Sequence, residues 1–106
     1  MPERGRFYFN RATEYFYLKK YESAIEDFTV AIEKMEDPFE AYYFRGKLYY
    51  ETGVYDKAVD DLKAARKINP DDRRATDLLF SSGDIRSLLR DRLHKQTMLK
   101  SGQSNA

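Results

Sequence analysis

The sequence predicts an all-α chain in which about six helices stack as antiparallel pairs into a short solenoid. Three observations carry that prediction. The chain aligns with itself at a shift of 34 residues. Within the clearer unit, Gly53 and Asn69-Pro70 punctuate two helix-length stretches. Nine Tyr and seven Phe among 106 residues recur at fixed places in the repeat.

At that shift Tyr8 falls on Tyr42, Tyr15 on Tyr49, Phe16 on Tyr50 and Tyr21 on Tyr55. Ala24 falls on Ala58, Phe28 on Leu62 and Ala31 on Ala65, while Arg11 meets Arg45 and Asp27 meets Asp61. Helical periodicity alone does not produce agreement at one such offset, so the unit is a true repeat. The first unit predicts helices over about 6–18 and 21–35, with Lys19 at the turn where the second unit has Gly53. A left-handed turn position suits glycine better than lysine, so that corner is the less comfortable one. In the second unit, Asp37-Pro38-Phe39-Glu40 reads as a capping acceptor, a proline at the first helical position and a capping-box glutamate. That helix runs to about Thr52, and its partner spans Tyr55 to Asn69. Beyond Pro70, Asp71-Asp72 caps a short fifth helix through Leu78, Leu79 and Phe80. Ser81-Ser82-Gly83-Asp84 breaks it, and Ile85, Leu88, Leu89 and Leu93 stripe an amphipathic sixth helix. The polar tail 101–106 is expected to fray.

The second unit, with Tyr42, Gly46, Tyr49, Gly53, Tyr55, Ala58, Leu62, Ala65 and Pro70, resembles the tetratricopeptide repeat. The first unit matches through Tyr8, Ala12, Tyr15, Tyr21, Ala24, Phe28 and Ala31. Departures are Arg11 and Arg45 at the usual leucine, Lys19 at the turn glycine and Glu36 at the usual proline. The resemblance implies a right-handed superhelical solenoid. Residues 1–100 then form one domain, with repeats at 5–38 and 39–72 and a degenerate capping pair at 73–100. Tyr8, Tyr15, Phe28, Tyr42 and Tyr49 are expected to fill the interlock, against Ala24, Ala31, Ala58 and Ala65.

A second aromatic set stands off that stripe. Phe9 and Phe16 lie about 100° around the helix from Tyr8 and Tyr15, and Tyr43 and Tyr50 repeat the offset. Twelve of the 16 aromatics fall on the first helices of the two units, more than one buried face accommodates. The resemblance implies that these helices line a concave surface. The candidate peptide groove is therefore Phe9, Thr13, Phe16, Tyr17, Tyr43, Phe44, Lys47, Tyr50 and Arg74. Arg6, Asn10, Glu40 and Glu51 border it, and Tyr43 and Tyr50 are the rings expected to be most open. Phe9, Phe16 and Phe44 fit equally well as seams between repeats.

Composition removes several classes of function. There is no cysteine, which excludes disulfides, thiolate metal sites and cysteine nucleophiles. No phosphate-binding loop or metal-ligand spacing occurs, and the single histidine, His94, has no assignable catalytic partner. No cofactor, metal or catalytic residue is expected, and no apolar run reaches membrane-spanning length. The expected function is a cytoplasmic, non-enzymatic adaptor or scaffold module that binds a peptide or partner helix with apolar or aromatic side chains. Many relatives by resemblance hold the acidic C-terminal tail of a chaperone. At the matching positions stand Phe9, Thr13, Phe44, Arg74 and Leu78, so that ligand is set aside. Two alternatives remain: a homo-oligomeric scaffold subunit, or a single-stranded nucleic-acid binder. The second would use the local +4 charge of residues 85–106, from Arg86, Arg90, Arg92, Lys95 and Lys100 against Asp91.

Overall fold

The computed structural model describes residues 4–81. Four helices follow in order, α1 (Arg4–Tyr17), α2 (Tyr21–Lys34), α3 (Phe39–Glu51) and α4 (Tyr55–Ile68). A fifth, α5, begins at residue 73 and continues to 81. No strand occurs among the described residues. The expected sixth helix, the polar tail and the basic segment 85–106 lie outside them.

Each pair turns in the same way. Lys20 N donates to Tyr15 O (2.9 Å) and Lys19 N to Phe16 O (3.0 Å), closing the end of α1 as a Schellman motif. Val54 N to Tyr49 O (2.8 Å) and Gly53 N to Tyr50 O (3.2 Å) repeat it at the end of α3. The motif needs a left-handed residue, and it falls on Lys19 (φ 62°) in one unit and Gly53 (φ 84°) in the other. The start of α3 departs from the expected cap by one residue. The helix begins at Phe39, Asp37 Oδ1 accepts from Phe39 N at 3.2 Å, and Pro38 occupies the capping position itself. Glu40 is no capping-box residue, because its carboxylate is taken by Arg74 of α5. Asp72 does cap α5, accepting from Arg74 N at 3.0 Å.

Two apolar cores result. Ala12, Ala24, Phe28 and Leu48 are buried together, joining α1, α2 and α3. Phe39, Val59, Leu62, Ala65, Ala75 and Leu79 form the other, joining α3, α4 and α5. Phe28, Leu48 and Leu62 are fully buried, each worth about 1.5–3 kcal/mol of transfer free energy. Within the second pair the helices cross closely at Gly46, where an added Cβ would stand 3.0 Å from Leu62 Cγ and 3.1 Å from Asp61 Cβ.

The expected interlock needs correction. Phe28 is buried as predicted, and Tyr15 and Tyr42 pack against the edges of the two cores, but all four of Tyr8, Tyr15, Tyr42 and Tyr49 are only half-buried. They also flank the arginine on their own helix. The Arg11 guanidinium lies 5.6 Å from the Tyr8 ring and 5.9 Å from Tyr15, and Arg45 lies 5.8 Å from Tyr42 and 5.9 Å from Tyr49. Each arginine then forks onto an aspartate of the partner helix. Arg11 Nε and Nη2 reach Asp27 at 2.6 and 3.0 Å, and Arg45 Nε and Nη2 reach Asp61 at 2.7 Å each. Asp27 and Asp61 are otherwise buried, so the bidentate fork is what makes their burial tolerable. The same forks raise both guanidinium pKa values, through the carboxylate hydrogen bonds first. What reads in the sequence as a departure from a leucine is the polar lock between the helices of each pair.

Candidate functional site

α1 and α3 lie side by side, and their second aromatic set forms one connected surface. Phe44 is its centre. Its ring stacks on Phe28 of α2 (6.1 Å, 6° between planes) and meets Phe9, Phe16 and Tyr43 edge-on at 5.8, 6.5 and 5.2 Å. Phe9 also touches Phe28 at 5.9 Å. Phe9, Phe16 and Phe44 are therefore half-buried floor, sealing the seam between repeats while leaving ring surface open. They serve as both seam and surface, because a ring on the rim of a helix pair packs on one side only.

Tyr43 carries the surface toward α5. It stacks in parallel on Phe39 at 6.4 Å, and the Arg74 guanidinium lies 5.0 Å from its centroid and 5.5 Å from that of Phe39. Arg74 is held there by two carboxylates. Its Nη2 is 2.8 Å from Asp72 Oδ2, its Nη1 is 3.2 Å from Glu40 Oε2, and Nη2 also pairs with Glu40 Oε1. The Asp72 and Glu40 hydrogen bonds raise the Arg74 pKa, and Arg74 in turn lowers that of Asp72. At the other side, Lys47 of α3 reaches across so that Nζ stands 5.9 Å from the Phe16 centroid.

The remaining predicted residues are less well joined. Tyr17 touches Phe16 edge-on at 5.7 Å and is 77% exposed, making it the most open ring of the set. Tyr43 and Tyr50, expected to be open, are half-buried. Tyr50 packs against Tyr55 at 5.8 Å, at the turn of its own pair. Thr13 is half-buried and donates its hydroxyl to Asn10 O at 2.7 Å. Sequence reasoning missed the carboxylate partners of Arg74. The signal was present, since Glu40 and Arg74 are one repeat apart and so neighbour each other on adjacent first helices. Among the described residues no acidic or histidine cluster is arranged to hold a metal ion, and no helix is long and apolar enough to cross a membrane.

Stacked helix pairs with an aromatic first-helix surface define a class, the helical-repeat solenoids whose exposed face is available to a partner. Two family models for the tetratricopeptide repeat match, over residues 5–33 and 39–72, and the chain belongs to that family. Among curated proteins it is 33% identical over 84 residues to DnaJ homolog subfamily C member 3 of Gallus gallus, a match covering 76% of this chain and 16% of that protein. It is 42% identical over 61 residues to neutrophil cytosol factor 2 of Homo sapiens, covering 58% and 12%. The chain thus spans less than a fifth of either relative. Among solved structures, the first tetratricopeptide domain of Spaghetti (RPAP3) bound to the HSP90 peptide SRMEEVD superposes with a TM-score of 0.75. That match has 26% identity and covers 81% of this chain and 68% of the neighbour.

This neighbour overturns the setting-aside of acidic chaperone tails. A solenoid of closely similar shape holds one, so the architecture does not exclude that ligand class. The exclusion rested on matching five positions one by one and finding a single cation. It took no account of Lys47, which lies at none of those positions and yet reaches the same face.

Proposed function

We propose that this chain is a protein-interaction module, cytoplasmic and non-catalytic, that binds a peptide or a partner helix along the first-helix face. The groove comprises Phe9, Thr13, Phe16, Tyr17, Tyr43, Phe44, Lys47 and Tyr50, with Arg74 at its end. One observation supports this above the rest: Phe16, Phe44 and Tyr43 form a continuous, half-open aromatic strip across α1 and α3, with a cation at each end. A solvated face needs no such strip, whereas binding surfaces concentrate energy in Tyr, Phe and Arg. An extended peptide or an amphipathic helix laid along it would place apolar side chains on the rings. The peptide held by the structural neighbour supports the mode, and an adaptor role follows from a module that binds and does not transform its ligand.

Selection of binders from a random peptide library, followed by backbone-amide shift mapping, tests the reading. Shifts should centre on Phe9, Phe16, Tyr43 and Phe44. Tyr17→Ala combined with Tyr43→Ala should weaken binding about tenfold or more, with helical circular dichroism unchanged. Shifts confined to α2 and α4, or equal affinity in the double variant, would sink it.

A further inference from the structure

α2 covers one side of α3, and the matching side of α1 has nothing over it among the described residues. Under α2, Ala41 and Leu48 are fully buried, and Arg45 Nη1 donates to Thr29 Oγ1 at 3.0 Å. One repeat earlier the counterparts are Phe7, Glu14 and Arg11, all exposed, and Arg11 Nη1 makes no hydrogen bond among the described residues. These exchanges suit α1 badly for another repeat stacked in front of it. Such a repeat would meet a phenylalanine where the close crossing takes an alanine, and would bury the Glu14 carboxylate in an apolar seam.

Phe7, Arg11, Glu14 and Leu18 fall at i, i+4, i+7 and i+11, within an arc of about 60° around the helix. Leu18 lies one residue past α1, but its N–H still bonds to Glu14 O at 3.0 Å, so the helical turn carries it. Phe7 is 59% and Leu18 65% exposed, and Glu14 makes no ion pair among the described residues. The stripe therefore reads apolar, basic, acidic, apolar, and reversed it is its own complement. A second copy laid antiparallel about a two-fold axis midway along the stripe sets Phe7 opposite Leu18 and Arg11 opposite Glu14, each pair twice. The carboxylate then takes the place at Arg11 Nη1 that Thr29 holds at Arg45.

We infer that this stripe of α1 is the contact surface of a two-fold dimer, and that its occupant is the same stripe of a second copy of this chain. One helix pair buries less than the roughly 1,600 Å² of a standard interface, so the dimer is weak, with a Kd on the order of 100 µM. At the lower concentrations of a spectroscopic melt the chain is monomeric. Phe9 and Phe16 lie about half a turn around α1 from the stripe, so both aromatic faces stay open in the dimer. Two such faces in fixed relation hold a two-site partner more tightly than one.

The test is sedimentation equilibrium of the full chain from about 10 µM to about 1 mM, with helicity followed by circular dichroism. The wild type should pass from monomer to dimer and no further. Phe7→Lys and Leu18→Glu each alter an exposed side chain, and each should weaken the dimer about tenfold or more with the fold intact. Mixed in equal amounts, the two variants should recover association to within about threefold of wild type, because the introduced opposite charges face each other only in the mixed dimer. Phe80→Ser, on the exposed side of α5, should change nothing. A wild type that stays monomeric throughout, or grows beyond the dimer, overturns the inference. So does undiminished association in either single variant, no recovery on mixing, or loss of association in Phe80→Ser. None of these outcomes involves a bound peptide, so the groove is judged separately.

Discussion

Register-equivalent residues of the two helix pairs diverge most on the leading side of the first helix, where α2 covers α3 and no described residue covers α1. On α3 that side carries Ala41 and Leu48, both fully buried, with Arg45 and Phe44 beside them. One repeat earlier, the same positions on α1 are Phe7, Glu14, Arg11 and Asn10, and all are exposed. The polar lock shows the difference most directly. Arg45 is 18% exposed and uses its third nitrogen, Nη1, to reach Thr29 of α2 at 3.0 Å, whereas Arg11 is 43% exposed and donates to Asp27 alone. The same residue type in the same register is a link between repeats in one case and a link within a repeat in the other. What decides is the presence of a neighbour, not the helix that carries the side chain.

Exchanging the residues of that leading side should break the symmetry hardest. Leu48→Glu places a carboxylate in the fully buried seam and should cost several kcal/mol, about 4 or more, enough to lose cooperative unfolding by urea. Its mirror, Glu14→Leu, falls on an exposed position and should stay within about 0.5 kcal/mol. Comparable losses in both would show that α1 is covered after all. Next in size is the lock. Arg45→Met strands the buried Asp61 and should cost about 3–5 kcal/mol. Asp27 is as buried as Asp61, but Arg11 is the more exposed arginine, so water can enter where its guanidinium was, and Arg11→Met should cost clearly less than Arg45→Met in the same urea melts. Equal losses would mean that exposure of the arginine does not set the strength of the lock.

How much of this could be read in advance follows from the same comparison. The helix pairs and their turns were legible, as were Ala24, Phe28, Ala31, Ala58 and Ala65 as buried positions, because small residues at close crossings and a stop at Gly53 admit few alternatives. Leu48, Phe39, Val59, Ala75 and Leu79 were not singled out as core, since no repeat position marks them. The second aromatic set was legible as an excess of rings on one helix. Its division was not, since whether Phe9 or Tyr50 keeps an open face depends on Phe28 and Tyr55, which belong to other helices. Tyr8, Tyr15, Tyr42 and Tyr49 were expected to fill the core, but only Tyr15 and Tyr42 reach its edge, because an arginine stands between the tyrosines on each helix and holds them at the surface side. The repeat itself held the correction, since Arg11 with Asp27 and Arg45 with Asp61 recur at one offset and one separation. The pairing of Arg74 with Glu40 was signalled by their separation of one repeat, whereas the placing of Lys47 over Phe16 depended on a side-chain partner that no spacing rule specifies.

A smaller effect separates the two turns. Lys19 and Gly53 occupy the same left-handed position, and a residue with a Cβ costs more there. Nothing lies within 4 Å of a Cβ built on Gly53, so backbone strain alone is at issue in that turn. Lys19→Gly should stabilise by about 0.5–1 kcal/mol, and Gly53→Lys should destabilise by about 1–2 kcal/mol. In thermal melts of a chain this size, each kcal/mol moves the midpoint by about 4–8 °C. Opposite signs at the two sites would confirm that the turns are geometrically equal and chemically unequal. Shifts of the same sign would mean that one turn relaxes out of the left-handed conformation.

The smallest effect concerns the end of the groove, where the second repeat meets α5. Asp72 accepts from the Arg74 side chain and from the Arg74 backbone N–H, and these hydrogen bonds, in that order, lower its pKa. A carboxyl whose folded-state pKa is depressed adds stability that is fully present above its unfolded value, about 3.9. That contribution disappears as pH falls through the lower, folded value. The pair is exposed, so the loss should be slight and visible mainly as a titration. Carboxyl-carbon resonances of Asp72 should therefore titrate below the ordinary aspartate range. In Arg74→Gln the midpoint should rise only part of the way back, because the backbone N–H at position 74 still donates. A full return would show that the helix cap depends on the guanidinium. No rise would show that the cap alone holds the charge, and that Arg74 is kept over Tyr43 chiefly by Glu40.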